Sequence, residues 1–375
     1  MKTLNIVLGM LGAACLLGCT TSENHSDTAP LKYKCLEGIK VENFVYAVKG
    51  NDTLTVDIYT DPAAPAGVNR PLLIYLYGGG FESGTRFDGS SDILDFVPYF
   101  VREYGYIGAA IDYRVEFANA RRQGRVPENT AATDFDDPAY MSCQAVVDEL
   151  ISAKEMAVED FMDATSFLLG LADKYGFDTG KVIAAGSSAG ALTILGAEYH
   201  LCNGHEMASS HLPADFRYAA LIPMAGGIWT SIDEQLHFDT APCPIMLFHG
   251  DADELVPYGR MDLKQFGVSW HGSREIADLL REMRVPYCLY TVEGASHIIN
   301  GLTMATNKSE IDGFVRRMLD LEMKVQVEVV ERSLTQPHDA KWAMEEYVIP
   351  LVKKHPEYGI QMGAELTDTP TKPND

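Results

Sequence analysis

The sequence predicts a protein of the α/β class, with a mostly parallel central sheet covered by helices on both faces. Short, almost continuous apolar runs, such as residues 71–77 (PLLIYLY) and 106–112 (YIGAAID), are typical of strands buried inside a sheet. Between such runs lie segments whose apolar residues recur at helical spacing, the longest at 154–175. Strands that alternate with helices favour parallel pairing, because each helix returns the chain to the same end of the sheet.

The elements follow one another in order along the chain. Residues 40–48 and 53–60 alternate apolar and polar side chains on either side of residues 50–52 (GND), which predicts an antiparallel hairpin at one edge of the sheet. Buried strands are expected at 71–77, 106–112, 181–185, 219–224, 244–248 and 287–292. Helices with a period near 3.6 residues are expected at 154–175, 189–200, 273–283 and 310–323.

Two segments do not fit this alternation. Residues 114–150 form a long connection with three arginines followed by an acidic run, which predicts either a lid or binding loop or a solvated surface excursion. The chain after residue 325 includes a helical pattern at 338–348, and its role is not indicated. We therefore expect one main domain over 40–324 and a C-terminal extension over 325–375.

Composition supports one large domain and excludes some functions. The 375 residues could hold two ordinary domains or a single large α/β domain, and a hydrophobic fraction of 46% is ordinary for a globular protein. Acidic residues outnumber Lys and Arg by 53 to 30, which gives a formal charge of −23. This balance argues against nucleic-acid binding, because phosphate contacts require clustered basic side chains.

The N-terminus resembles an export signal. Lys2 precedes an apolar stretch at 4–17, which is shorter than the roughly 20 residues of a membrane-spanning helix. It ends in LLGC, which is similar to a bacterial lipobox, so we expect a signal peptide at 1–18, a lipid on Cys19 and a tether at 19–39. Ordinary signal cleavage is the alternative. Lipidation would anchor an exported protein to a bacterial membrane, in the periplasm or at the cell surface.

The cysteines indicate no metal or redox motif. Cys15 would leave with the signal and Cys19 would carry the lipid, so at most two disulfides could form among the five that remain: Cys35, Cys143, Cys202, Cys243 and Cys288. An exported location permits disulfides. No two cysteines have CxxC spacing, so neither zinc nor thioredoxin-type chemistry is expected.

Residues 186–190 (GSSAG) match the pattern G-x-S-x-G. They follow the predicted strand at 181–185 and open the predicted helix at 189–200, which is the strand–turn–helix setting of a nucleophile elbow. The tight turn would raise the hydroxyl of Ser188 above the sheet. The amide of Ala189, at a helix N-terminus, would face a developing oxyanion.

A serine nucleophile needs a base and an acid, which follow it in this chain order in such folds. After the predicted strand at 244–248 comes HGDADELVP, in which Asp253 is the favoured acid and Asp251 and Glu254 are rivals. His297 follows the strand at 287–292, and among the ten histidines it alone has both the order and the placement of the base. His249 is interpreted as a structural residue at a strand end.

Three glycines at 78–80 follow the predicted strand at 71–77. Gly79 and Gly80 expose backbone N–H groups without a side chain in the way, so they could form the other half of an oxyanion hole. A plain turn or a phosphate loop is the alternative. A phosphate loop would need Lys-Ser or Lys-Thr after its last glycine, and neither is present.

Together these motifs resemble a known family. Residues 72–84 (LLIYLYGGGFESG) are similar to the oxyanion segment of serine carboxylesterases, including the cholinesterase-like branch. Residues 111–114 (IDYR), the GSSAG elbow and the acid segment at 249–257 also resemble those of α/β-hydrolase esterases and peptidases. Hormone-sensitive-lipase-like esterases usually carry His where this chain has Tyr77. The resemblance extends from about residue 41 to residue 321.

The resemblance implies an α/β-hydrolase fold and a carboxylic ester hydrolase without a metal or organic cofactor. By position, Ser188 would be the nucleophile, Asp253 the acid and His297 the base. Gly79, Gly80 and Ala189 would supply the oxyanion N–H groups. The cholinesterase branch commonly uses Glu as its acid and has a longer chain, so a compact esterase is favoured.

The expected substrates are small or carbohydrate-linked esters, such as acetyl or feruloyl esters. An exported peptidase of the same fold and a non-catalytic adhesion or binding protein are the alternatives. Four aromatic residues could bind an aromatic acyl group, although core packing is the favoured interpretation: Phe81, Tyr113, Phe117 and Trp229.

Overall fold

The computed structural model describes residues 36–64, 69–87, 94–126 and 138–332, with only the backbone given for 138–143. The predicted signal peptide, the lipid-bearing Cys19, Cys35 and the predicted helix at 338–348 lie outside the described residues. Within the described part of the chain, no helix is long and apolar enough to cross a membrane.

A nine-stranded sheet forms the centre of the fold. Its strands are β1 (Lys40–Lys49), β2 (Asp52–Thr60), β3 (Arg70–Leu76), β4 (Ile107–Ile111), β5 (Phe177–Ser187), β6 (Ala220–Met224), β8 (Ile245–Gly250), β11 (Tyr287–Val292) and β12 (Gln326–Glu331). They lie in the order β1-β2-β4-β3-β5-β6-β8-β11-β12. β2 is antiparallel to both β1 and β4, and every later pair is parallel. The mostly parallel sheet and the edge hairpin are therefore confirmed.

Helices cover both faces of this sheet. They are α1 (Phe96–Tyr104), α2 (Glu116–Arg122), α3 (Pro138–Leu169), α4 (Ala172–Tyr175), α5 (Ala189–Cys202), α6 (Glu206–His211), α7 (Ser273–Met283), α8 (Ile299–Thr306) and α9 (Lys308–Leu319). α1 packs so closely on Gly108 of β4 that a Cβ there would lie 2.4 Å from Val97. Ile111, three residues after Gly108 on β4, faces the other side of the sheet. Phe44 of β1 aligns with Ile111 across β2, so it lies on that same side, where it contacts Phe167 of α3. α1 and α3 thus lie on opposite faces.

A second, smaller sheet was not predicted. Its three antiparallel strands lie in the order β7 (Gly227–Ser231), β10 (Val268–Gly272) and β9 (Arg260–Leu263). Trp229 and Trp270 pair across β7 and β10, with ring centroids 4.7 Å apart. This sheet follows directly from the ends of β6 and β8, so it stands beside the carboxyl edge of the central sheet.

The structure corrects several predicted boundaries. The expected connection at 114–150 contains α2 and the first turns of α3, so much of it is helical. The predicted helix at 154–175 is interrupted after Leu169, and the one at 310–323 ends at Leu319, since Glu322 adopts a φ of 47°. β12 pairs with β11, so the central sheet extends beyond residue 324.

Candidate active site

Ser188 lies in the sharp turn between β5 and α5. Its φ of 51° and ψ of −114° are strained for a residue with a side chain, and such strain is concentrated at functional sites. Its neighbours must be small. A Cβ on Gly186 would lie 2.4 Å from the carbonyl oxygen of Gly190, and one on Gly190 would lie 2.4 Å from that of Leu76. The sequence G-x-S-x-G is therefore required by the close approach of β3, β5 and α5.

Three side chains from separate parts of the chain meet at this turn. His297 Nε2 lies 2.8 Å from Ser188 Oγ, and His297 Nδ1 lies 2.7 Å from Asp253 Oδ2. An ionised carboxylate only accepts hydrogen bonds, so Nδ1 carries the proton and Nε2 accepts from the serine hydroxyl. This tautomer is the one in which a histidine can take a proton from the hydroxyl. Ser188 itself remains partly exposed to solvent.

The segment from 251 to 259, which we call the acid loop, holds Asp253 in a buried position. Its second oxygen, Oδ1, accepts hydrogen bonds from the amides of Leu255 and Val256, both at 2.9 Å. The rival Asp251 is exposed and accepts instead from the amide of Gly294 at 2.6 Å. Asp253 is therefore the carboxylate that the fold presents to His297.

The acid loop is bonded to the base loop, residues 292–298, which begins at the last residue of β11 and carries His297. The amide of Asp251 donates to Val292 O at 3.3 Å, and the amide of Ala252 donates to Ala295 O at 3.1 Å. With the bond from Gly294 to the Asp251 carboxylate, three hydrogen bonds join the two segments in addition to the bond between His297 and Asp253. The spacing between acid and base is thus fixed by the backbone as well as by the side chains.

The surroundings shift the pKa values of acid and base in opposite directions. Burial opposes ionisation of Asp253, but the charge of His297 and the hydrogen bonds from His249 and His297 outweigh it, so the pKa of Asp253 is well below its ordinary value. Burial also lowers the pKa of His297, yet the charge and hydrogen bond of Asp253, with a smaller contribution from Glu254, raise it above the ordinary value. Asp253 therefore stays ionised and can stabilise the imidazolium.

Residues 77–84 form what we call the oxyanion loop, which lies against the elbow. A Cβ on Gly78 would lie 3.1 Å from the Cβ of Ser188. Gly79 and Gly80 have φ angles of 115° and 64°, which favour glycine. Among the described residues, the amides of Gly79, Gly80 and Ala189 have no hydrogen-bond partner. These amides can therefore donate hydrogen bonds to a substrate oxygen.

Helix α2 holds the oxyanion loop from outside, an arrangement that the sequence did not indicate. The amide of Phe117 donates to the carbonyl of Phe81 at 3.0 Å, and Arg121 Nε lies 2.7 Å from Glu82 Oε1. Phe81 has a φ of 60° and is almost fully buried. A strained residue of this kind persists only when its surroundings fix it, and α2 provides this support.

Most of the predicted aromatic wall belongs to the core. Phe81, Tyr113 and Phe117 are each at most 2% exposed. Tyr113 stacks on Tyr77 with ring centroids 4.5 Å apart and donates its hydroxyl to the Tyr77 carbonyl at 2.8 Å. Trp229 is half-buried on β7 and packs on the small sheet. The favoured interpretation, core packing, holds for the first three residues.

Arg86 also supports the site, and no sequence motif indicated it. Its guanidinium pairs with Asp57 on β2 and with Asp112 at the end of β4, and Asp112 also accepts from Thr55. The side chain of Arg86 is only 10% exposed. Asp112, the acidic residue of the IDYR segment, thus connects β4 to β2 and, through Arg86, to the end of the oxyanion loop.

The side chains of three cysteines are described. Cys202, Cys243 and Cys288 are free thiols. The described ranges contain no group of three or more His, Cys, Asp or Glu residues that could hold a metal ion. The arrangement of Ser188, His297 and Asp253 can perform its proton transfers with protein groups alone.

The sheet order, the elbow and the acid and base loops define an α/β-hydrolase fold. Solved structures of an esterase from the planctomycete Thermogutta terrifontis, esterase 2, are similar to it. The native form is 20% identical with a TM-score of 0.52, covering 76% of this chain and 94% of that chain. The butyrate-bound form is 19% identical with a TM-score of 0.51, and the form phosphorylated by paraoxon is 19% identical with a TM-score of 0.50; both comparisons cover 76% of this chain and 95% of that chain. No protein-family model matches the sequence, and no curated protein matches it significantly.

Proposed function

We propose that this chain is a serine hydrolase that cleaves carboxylic esters. The observation that carries the proposal is the unbroken chain of hydrogen bonds from Ser188 through His297 to Asp253, next to three backbone amides that have no partner in the described part of the chain. The likeness to an esterase of known structure supports the choice of reaction, since it extends over nearly all of that chain. The intact triad makes a purely adhesive or binding role the weaker alternative.

The mechanism follows from the positions of these groups. Ser188 Oγ attacks the ester carbonyl while His297 Nε2 takes its proton, and Asp253 stabilises the imidazolium that forms. The oxyanion of the tetrahedral intermediate accepts hydrogen bonds from the amides of Gly79, Gly80 and Ala189. His297 then protonates the departing alcohol. A water molecule, deprotonated by the same histidine, finally releases the acid from Ser188.

The proposed substrates are esters with short acyl groups. The similar esterase 2 has been solved with butyrate and with propionate bound, which supports small acyl groups here. The test is hydrolysis of p-nitrophenyl acetate, butyrate and octanoate, with Ser188→Ala as the matched control. Wild-type kcat should exceed that of Ser188→Ala on the order of 10⁴-fold or more. A Ser188→Ala variant that keeps more than about a tenth of the activity would contradict the assignment.

Organophosphates provide an independent test of the nucleophile. Because esterase 2 is phosphorylated by paraoxon, we expect paraoxon to phosphorylate this chain as well, at Ser188. Peptide mass spectrometry should find the added group on residues 186–190 of the wild type and on no peptide of Ser188→Ala. A wild-type protein that is folded, unlabelled and inactive on every ester would favour the binding or adhesion alternative.

The proposed location is outside the cytoplasm, with a lipid on Cys19. It rests on the LLGC sequence at 16–19. Incorporation of a clickable fatty acid by the wild type but not by Cys19→Ala would support the anchor, and equal incorporation would refute it. An exported esterase of this kind could remove acyl groups from glycans. Release of acetate from acetylated xylan, compared with p-nitrophenyl acetate, tests that substrate class, and a proline-containing peptide anilide tests the peptidase alternative.

A further inference from the structure

His249 is a fully buried histidine that the proposed mechanism does not use. It lies near the end of β8, immediately before the acid loop. Its Nδ1 is 2.7 Å from Ser273 Oγ, at the start of α7. Its Nε2 is 3.1 Å from the carbonyl oxygen of Val256 and 3.3 Å from Asp253 Oδ2. The ring therefore contacts both the catalytic acid and the loop that carries it.

The partners of this ring determine which nitrogen carries the proton. The carbonyl of Val256 and the carboxylate of Asp253 only accept hydrogen bonds, so the proton lies on Nε2 of His249. Nδ1 is then an acceptor for the hydroxyl of Ser273. In both imidazoles, the nitrogen that faces Asp253 carries the proton and the other nitrogen accepts from a serine hydroxyl.

Asp253 consequently lies between two imidazoles. Its Oδ2 faces His297 Nδ1 at 2.7 Å and His249 Nε2 at 3.3 Å, while Oδ1 accepts from two backbone amides. A carboxylate removed from water needs such donors, because an uncompensated buried charge is strongly unfavourable. His249, whose Nε2 is hydrogen-bonded to the Val256 carbonyl and lies 3.3 Å from Oδ2, is the one group of the four that is neither in the triad nor in the backbone of the acid loop.

We propose that His249 is a positioning residue, which holds the Asp253 carboxylate in place for His297, and that Ser273, whose hydroxyl donates to Nδ1, fixes the orientation of the His249 ring. This inference rests on the proposed esterase function. The other groups near these rings are Tyr258, whose ring meets His249 edge-on with centroids 5.7 Å apart, and Glu254, whose charge acts on His297. The hydroxyl of Tyr258 is hydrogen-bonded to Thr291 at 2.7 Å.

Three variants test this role. His249→Phe keeps a ring but removes the donor, His249→Gln keeps a side-chain N–H, and Ser273→Ala removes the hydroxyl that holds Nδ1 of the His249 ring. Loss of the Nε2–H group, which is bonded to the acid loop at Val256 and lies 3.3 Å from a buried carboxylate, should lower kcat on the order of 10- to 100-fold for His249→Phe, with KM unchanged. His249→Gln should recover kcat to within about threefold of the wild type, because its amide can replace the Nε2 donor.

The pH profile separates positioning from a merely structural role. A displaced Asp253 attracts the protonated His297 less strongly, so the acid limb of kcat/KM should move to lower pH in His249→Phe. Simple loss of folded protein would scale the profile without moving it. A kcat within twofold of the wild type, or an acid limb that is unmoved or lies at higher pH, would overturn the proposal.

Two controls keep the outcome interpretable. Should His249→Phe fail to fold, Ser273→Ala decides the question: a several-fold lower kcat at unchanged KM supports the proposal, and wild-type kcat overturns it. A wild type that is inactive on every ester and unlabelled by paraoxon would refute the proposed function itself. An active, labelled wild type with an equally active His249→Phe variant would refute only the role of His249.

Discussion

Asp253→Asn should remove most of the catalytic power while leaving the binding of substrate intact. The carboxylate oxygen lies 2.7 Å from His297 Nδ1, inside a region from which water is excluded. With an effective dielectric constant of about 20, two unit charges at that distance attract by about 6 kcal/mol. This attraction arises only when His297 becomes an imidazolium in the transition state. Its loss corresponds to a fall in kcat on the order of 10⁴-fold.

The assay is steady-state hydrolysis of p-nitrophenyl butyrate across a range of pH. KM should change little, because the amide is isosteric and the Asp253 side chain is fully buried behind His297. Asp251→Asn is the matched control: its carboxylate is exposed and bonded to Gly294, so its loss should change kcat less than about tenfold. The reasoning would be refuted by a large fall in Asp251→Asn together with a fall below about 100-fold in Asp253→Asn.

Three further predictions concern the elbow, the base and the oxyanion loop. Gly190→Ala should lower the free energy of unfolding by about 1–3 kcal/mol in urea melts, because its Cβ would lie 2.4 Å from a β3 carbonyl. Gly259→Ala, whose Cβ would have no atom within 4 Å, should leave that free energy unchanged, and equal losses in the two variants would contradict the reasoning. The kcat/KM profile should rise with pH and reach half its maximum above pH 6.5, since the base must be neutral and the pKa of His297 is raised; a midpoint at or below that value would be inconsistent. Arg121→Ala should lower kcat by about 2- to 5-fold, because it removes the ion pair with the oxyanion loop. Arg122→Ala, on the same helix, should leave kcat unchanged, and equal kcat values for the two variants would contradict this role.

The central sheet could be predicted because each of its strands is recognisable from its own residues. Strands buried on both faces, such as β4 and the last five residues of β3, are apolar at successive positions, and this is visible in the sequence. The small sheet gave no such signal. Its strands have only four or five residues, and a buried polar group such as His271 bonds to Thr230, which is 41 residues away. Such a partner cannot be inferred from neighbouring positions.

The triad residues could be found because strand ends and chain order restrict where they stand. Ser188, Asp253 and His297 each follow a recognisable buried strand. Strand ends and chain order do not restrict the positions of the residues that support the triad. Ser273 reaches His249 from the first position of α7, and Arg86 reaches β2 and β4 from a loop. Such contacts depend on how the elements pack, which periodicity does not describe.

The three hydrogen bonds between the acid and base loops also bear on how this chain could be recombined with others of its fold. A chimera whose junction falls between β8 and β11 would take the two loops from different parents, and neither loop would find the backbone partners it was selected with. A junction before β8 or after residue 298 would transfer both as one inherited block. Shuffled libraries should therefore recover active clones mainly where residues 250–297 come from a single parent.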